Sequence, residues 1–271
     1  MADSRIYSLS NTLSALTADW YLQVDKSGET EAEKLNLSVI TDAIAAAIPT
    51  AFSNRNYIVN HNFDDWQLGT SFNPTADLFT ATTWRALFAY NTGRVLITQS
   101  TTTSDSIGFS QKTACTTTEG SLAASTIVGH SNAIHAPEFQ DAKFGTANAE
   151  DITLTILVRA SKTGTYCLSI QNEDKNRSLI KEYTINVADT FEEKTITFAA
   201  DTSGTWKYDN NEIGIYVNYI LASGSNFIAT ADTWHSSDVK ATSNQVNFLD
   251  STSNDFYFEI VKLEKVVRQV L

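Results

Sequence analysis

Residues 57–72 read Tyr-Ile-Val-Asn-His-Asn-Phe-Asp-Asp-Trp-Gln-Leu-Gly-Thr-Ser-Phe, and residues 256–264 read Phe-Tyr-Phe-Glu-Ile-Val-Lys-Leu-Glu. The first stretch opens a long Thr- and Ser-rich run of strand-like segments, and the second closes it. Successive side chains of a strand point to opposite faces, so a segment that alternates in polarity can bury one face. We therefore predict that the two stretches are the first and last strands of one β-sandwich.

The segments between these two ends repeat the same alternation. Apolar residues take every second position in three of them: Ile152, Leu154, Ile156 and Val158; Tyr166, Leu168 and Ile170; and Ile213, Ile215, Val217 and Tyr219. Turn-rich spacers separate the segments, and no amphipathic helical pattern lies between them. This arrangement favours antiparallel strands over a parallel sheet with helical crossovers. We predict an all-β fold in which residues 54–271 form an antiparallel jelly-roll β-sandwich.

A smaller element precedes the predicted sandwich. Residues 20–25 alternate as a short strand, residues 27–30 are typical of a turn, and residues 33–37 can return beside the first strand. We predict that residues 1–36 form an attachment element that contains this hairpin. Because an isolated two-stranded hairpin is at best marginally stable, the element must dock on a neighbour.

Residues 37–53 contain an alanine-rich stretch that is predicted to be a short helix. Ser38 can cap its amino end, and Pro49 stops it. Five of its apolar residues follow the spacing of a coiled-coil seam: Leu37, Ile40, Ile44, Ala47 and Ile48. The helix either lies on the sandwich or forms the neck of a trimer. The neck is preferred, because the stretch lies between two β elements and has few large side chains beyond its seam.

The charge of the chain disfavours several classes of partner. Charged residues make up 18% of the 271 residues, the formal net charge is −12, and hydrophobic residues make up 42%. Nucleic acid and anionic lipid both require clustered Lys and Arg, so neither is an expected partner. No apolar run reaches the ~20 residues of a membrane span, and no signal peptide is recognisable. We expect synthesis in the cytoplasm without membrane insertion.

Residues 60–71 resemble the opening strand of a jelly-roll module of bacteriophage tail-fibre and related virion-surface proteins. That strand has the form Asn-Gly-x-Phe-x-x-Trp-Gln-x-Gly-Thr-Ser, and here Asn-His-Asn-Phe-Asp-Asp-Trp-Gln-Leu-Gly-Thr-Ser takes its place. Residues 79–85 are similar to a later piece of the family but depart from its Asp-Arg pair. Residues 256–264 resemble its closing strand, with Glu259 and Lys262 as departures.

The resemblance implies a structural virion protein without enzymatic chemistry, namely a tail- or head-fibre subunit on the virion surface. It further implies a homotrimer that attaches to other virion proteins through residues 1–36. The distal jelly roll would then contact a glycan or a protein of the host surface. Two alternatives with the same fold stay open: an adhesin similar to a carbohydrate-binding module, and a capsid decoration or cement protein.

Three aromatic residues are the candidates for ligand contact. Trp206, Tyr208 and Trp234 lie near turns or in polar loops, where an exposed ring can stack on a sugar. The alternative is that these rings anchor their loops, because large aromatic side chains are mostly buried. Trp66 and Trp84 lie in the family motifs and are expected in the core.

Oxygen-bearing side chains at the two ends of the predicted sandwich suggest a calcium site. Jelly rolls that bind carbohydrate can hold a structural calcium ion between their first and last strands, and Ca²⁺ takes oxygen ligands. The candidate ligands are Asn60, Asn62, Asp64 and Glu259, and the alternative is that Asp64 is a solvated turn residue. No catalytic residues are predicted, because no nucleophile elbow, phosphate loop or metal-binding histidine pair occurs in the sequence.

Overall fold

The computed structural model describes residues 21–24, 33–36, 55–90, 92–106 and 108–266. The first two segments are strands β1 (Tyr21–Val24) and β2 (Glu33–Asn36), which pair in antiparallel register. This pairing agrees with the hairpin predicted within residues 1–36. The hairpin belongs to one compact unit, and Arg55–Val266 form another.

The predicted helical neck lies outside the described residues. It comprises the seam positions Leu37, Ile40, Ile44, Ala47 and Ile48. No helix in the described part of the chain has the length and apolar character that a transmembrane helix needs.

The unit Arg55–Val266 contains two β-sheets. The larger sheet has seven strands, in the spatial order β14 (Trp234–His235), β11 (Ser178–Ile185), β10 (Gly164–Gln171), β13 (Ile213–Ser223), β8 (Ile127–His135), β5 (Trp84–Ala89) and β4 (Leu78–Phe79). The smaller sheet has six strands, in the order β12 (Glu192–Phe198), β9 (Ile152–Ala160), β15 (Asp255–Lys265), β7 (Ser110–Thr117), β6 (Arg94–Ser100) and β3 (Ser71–Phe72).

Eight of these strands have the order of a jelly roll. In one sheet β7, β15, β9 and β12 are neighbours, and in the other β8, β13, β10 and β11 are neighbours. The chain crosses between the sheets after β7, β8, β9, β11 and β12, and again after β14 to reach β15. Each pair of neighbouring strands is antiparallel. Two interlocked Greek keys of this kind define a jelly roll. The predicted all-β jelly-roll sandwich is confirmed, and residues 256–264 lie in β15, as expected of its closing strand. The prediction that residues 57–72 form its first strand is wrong, because residues 57–70 lie in turns and loops and only Ser71–Phe72 pair in a sheet.

Short helical segments connect some of the strands. Helix α1 (Ala136–Phe139) follows β8 directly and has Pro137 in its first turn, where the missing N–H costs nothing. Three 3₁₀ turns occupy Gln140–Ala142, Ser225–Phe227 and Phe248–Asp250.

The apolar side chains that alternate along the strands form the core between the two sheets. In β9 every second side chain is buried, beginning with Ile152 and ending with Ala160, while the intervening residues are partly exposed. Full burial of one such aliphatic side chain contributes roughly 1.5–3 kcal/mol relative to exposure. Trp66 and Trp84 belong to the same cluster, so their expected place in the core is confirmed.

Residues 224–247, which we name the cover segment, close part of the outer face of the larger sheet. Ile220 and Cys167 point away from the main core, because their neighbours Tyr219 and Leu168 belong to it. Val239 of the cover segment packs with Ile220 and Cys167 in a second apolar cluster. The outer face is therefore buried here by the chain itself.

Close approach of β8 and β13 requires a glycine at position 129. A Cβ atom added at Gly129 would lie 2.2 Å from the backbone oxygen of Tyr219.

We expect Gly129→Ala to lower the free energy of unfolding by about 1–3 kcal/mol, because the strand has to shift to make room for the methyl group. Denaturant titration measures this change. Gly120→Ala is the matched control, since nothing lies within 4 Å of its added Cβ. Equal stability of the two variants would contradict this account of the strand contact.

Candidate functional site

The sequence candidate Trp206 is buried. Only 6% of its surface is exposed, and its indole Nε1 donates a hydrogen bond of 2.9 Å to Asp201. Phe144 and Trp234 pack against it edge-to-face, at centroid distances of 4.9 and 5.9 Å. The expectation that Trp206 presents an exposed ring is therefore wrong. Its buried hydrogen bond to a carboxylate makes it an anchor for its loop.

The other two aromatic candidates flank this anchor. Tyr208 is 42% exposed, and its hydroxyl donates to the backbone oxygen of Phe144. Trp234 is half-buried in β14, and the guanidinium carbon of Arg177 lies 5.3 Å from its ring centroid. Arg177 thus occupies a position beside the ring of Trp234. Of the three predicted ligand contacts, Tyr208 is the one that solvent reaches most.

The four candidate calcium ligands fall into three separate hydrogen-bonded groups. Asn60 accepts from the backbone N–H of Asp65 and donates to the oxygen of the same residue, while Asn62 donates to Asp64. Glu259 is buried and accepts from the backbone N–H and the hydroxyl of Ser104, at 2.7 and 2.9 Å. Side chains engaged in this way do not fit a shared calcium ion.

No group of three or more His, Cys, Asp or Glu side chains within the described ranges could hold a metal ion. The histidine at the centre of the fold is also engaged by the protein. His130 is fully buried, with Gln111 Nε2 3.1 Å from Nδ1 and Thr113 Oγ1 2.8 Å from Nε2. Burial lowers the pKa of His130 to about 3, so its imidazole is neutral at physiological pH.

A cleft of about 470 Å³ opens where β5 stops short of β8. The ladder between these strands begins at the pair Trp84–Asn132, whereas β8 runs on to His135. Within the described ladders, residues 133–135 therefore pair only with β13. The volume lies within the range of small-molecule sites.

Residues 57–59 form one wall of the cleft, and three hydrogen bonds hold them in place. The Tyr57 N–H donates to Leu263 O at 2.9 Å, and the Tyr57 hydroxyl donates to Asp141 at 2.7 Å. On the cleft side, the Thr83 hydroxyl donates to Val59 O at 3.0 Å. The wall is thus tied to the last strand of the sandwich.

Aromatic and polar side chains alternate across the rest of the cleft. Phe79, which is 55% exposed, is the cross-strand partner of Arg85, and Arg85 is the partner of Ser131. Directly paired residues of antiparallel strands share a face, so these three side chains form a row on the outer face. Tyr216 lies beyond that row on β13, opposite Ala133.

The charges of the cleft are nearly balanced. Arg85 forms an ion pair of 2.7 Å with Asp77, and both side chains are partly exposed. Glu138 in α1 adds a carboxylate at the other end. The Asn132 side chain shares the core face with its cross-strand partners Trp84 and Val217. There its nitrogen donates to Thr83 O at 3.3 Å, and its buried oxygen has no partner in the protein. The cleft thus combines aromatic surface with guanidinium and carboxylate groups.

Sequence reasoning did not single out this cleft. Phe79 and Arg85 were placed within a family motif, and Tyr216 lies between the apolar residues Ile215 and Val217. The position of Tyr216 is the sequence feature that indicates the cleft. Tyr216 alternates with the core residues Ile215 and Val217, so its side chain lies on the outer face of the strand rather than in the main core. Its partners come from distant parts of the chain, which sequence spacing alone cannot bring together.

Comparisons with known proteins do not identify a family. No protein-family model matches the chain, and no curated protein matches it. Among solved structures, the enzymatically active domain of tailspike protein 4 from bacteriophage CBA120 is similar, with 11% identity and a TM-score of 0.37. The match covers 78% of this chain and 21% of the tailspike chain.

Carbohydrate-binding modules are also among the similar structures. The family 11 module from Clostridium thermocellum, in complex with a β-1,3-1,4-mixed-linked tetrasaccharide, has 8% identity and a TM-score of 0.35 over 74% of this chain and 98% of its own. A CBM4 structure has 11% identity and a TM-score of 0.40 over 77% and 99%, respectively. With identities and TM-scores this low, nothing about the ligand of this chain follows from these proteins.

The neutral, buried His130 makes stability depend on pH. The unfolded chain protonates this histidine near pH 6.5, whereas the folded protein resists protonation down to about pH 3. We therefore expect the free energy of unfolding to fall as the pH is lowered from 6.5 towards 3, by up to about 1.4 kcal/mol per pH unit. Urea titrations at a series of pH values measure this slope.

The variant His130→Gln is the control for this experiment. Glutamine keeps hydrogen-bonding groups but does not titrate, so the difference between the two proteins isolates His130 from the other histidines and from the carboxylates. An identical pH slope in both proteins would show that His130 does not cause the effect.

Proposed function

We propose that this chain is a fibre-type virion subunit whose jelly roll binds a glycan of the host surface through the cleft beside β5 and β8. The observation that carries the proposal is the row of Phe79, Arg85 and Ser131 facing Tyr216 across an open groove. The protein would be made in the host cytoplasm and act on the virion surface. The remaining parts of the proposal concern ligand chemistry, attachment and oligomeric state.

The side chains of the cleft suit a sugar better than an apolar ligand. A sugar ring has an apolar face that packs on aromatic rings, and hydroxyl groups that pair with planar polar side chains. Phe79 and Tyr216 supply the aromatic surface, while Arg85 supplies a planar polar group. This combination supports glycan binding.

The proposal assigns binding and no catalysis to the cleft. Glycoside hydrolysis requires two carboxyl groups on either side of the scissile bond. Among the described residues that line the cleft, Glu138 is the one carboxylate. Asp77 is held by Arg85 at 2.7 Å and by the Phe88 N–H, and this engagement disfavours a role as the second catalytic group.

Residues 1–36 are proposed to attach the subunit to other virion proteins. The paired strands β1 and β2 belong to a different compact unit from Arg55–Val266. Since two strands alone are marginal, contact with a neighbouring protein would stabilise them. The seam of residues 37–48 is proposed to hold three copies together as a neck, which would display three clefts on one particle and so raise avidity.

Glycan binding is tested with an array of bacterial-surface polysaccharides and oligosaccharides and the full-length protein. We expect hits that Tyr216→Ala weakens at least tenfold, because the substitution removes an aromatic wall of the cleft. Tyr208→Ala is the matched control, since it removes a solvent-accessible tyrosine from the aromatic group around Trp206. Loss of binding in the Tyr208 variant alone would move the site to that group, and an array without hits would refute glycan binding.

The trimer is tested by native mass spectrometry of the full-length protein at micromolar concentration. We expect three chains, and we expect Ile44→Asp to give monomers because it places a charge in the predicted seam. Ala46→Asp puts the same charge on the opposite side of the predicted helix and should leave the trimer intact. A monomeric wild-type protein would refute the neck.

A further inference from the structure

The charges of the cleft disfavour an anionic ligand. Arg85 is the one Lys or Arg among the described residues that line the cleft, and Asp77 already pairs with it at 2.7 Å. Glu138 adds a negative charge to the same cleft. A carboxylate or sulfate on a sugar would therefore meet Glu138 without an uncommitted Lys or Arg to balance it.

The aromatic residues stand far apart. Phe79 lies in β4 and Tyr216 in β13, with β5 and β8 between them. Three strand spacings separate them, which is about 14 Å across the sheet. The distance exceeds the width of one sugar ring, so a ligand that touches both aromatic side chains must contain several rings.

We propose that the cleft selects an uncharged oligosaccharide of several rings, which lies across β5 and β8 from Phe79 to Tyr216. This inference rests on the proposed glycan binding and adds the class of ligand. The bound ligand runs across the sheet, perpendicular to the strands. Selectivity against acidic sugars comes from Glu138 and from the Arg85–Asp77 pair.

The experiment compares matched neutral and acidic ligands on the full-length protein. The array contains neutral oligosaccharides of one to six rings, each printed beside its uronic-acid counterpart of equal length. We expect the hits that Tyr216→Ala abolishes to be neutral and to lose at least tenfold in affinity when shortened to a single ring. Acidic hits with the same dependence on Tyr216 would overturn this inference and leave glycan binding standing. An array without hits would overturn both.

The variant Phe79→Ala tests the extended binding mode. It should weaken binding of the longest neutral ligand at least fivefold and leave single-ring binding unchanged, with Leu68→Ala, a 70% exposed residue outside the cleft, as its control. Equal loss for all lengths in Phe79→Ala would refute the extended binding mode.

Discussion

The indole of Trp84 joins the parts of the sandwich on which everything else depends. It is fully buried, and its ring contacts Phe63 at 4.6 Å, Tyr219 at 5.2 Å and Phe258 at 6.1 Å between centroids. These partners come from the opening loop, from the larger sheet and from the smaller sheet. The indole Nε1 also donates to Asn60 O at 3.1 Å. One side chain therefore fixes the opening loop against both layers, and aromatic contacts of this kind stabilise beyond the area that they bury.

The cleft is a consequence of where this anchor lies. Trp84 is the first residue of β5, so the ladder with β8 starts there and the last residues of β8 extend past it. The turn before Trp84 leaves the sheet, with Thr83 in the left-handed region at φ 70°. Thr83 then reaches Val59 by its hydroxyl and receives the Asn132 amide at its oxygen. The same turn that seats the indole thus shapes the floor of the cleft.

The sequence predicts strands well where one face is apolar and poorly where polar groups are buried. Strand β9 shows strict alternation because one face packs into the core and the other meets solvent. The burial of strand β8 cannot be predicted from an alternation of polarity, since the buried residues His130, Ser131 and Asn132 are all polar. His130 is accommodated by Gln111 and Thr113 on the opposite sheet, and such a partnership is decided only by the tertiary fold. The burial of Trp206 likewise depends on Phe144 and Trp234, which are distant from it in the sequence.

The cover segment explains why the cleft is confined to one end of the larger sheet. Beyond the cleft, Asn218 donates to Ser169 at 3.2 Å and to Gln171 at 3.0 Å, and Gln171 donates to Asp238 of the cover segment at 2.8 Å. Polar groups of the covered face are thereby satisfied by the chain itself. Phe79 and Arg85 lie on the same outer face, towards the opposite edge of the sheet from β14. Phe79 is exposed there and Arg85 is partly exposed. A sheet whose outer face is covered by the chain itself at one end is open to a ligand only towards the other.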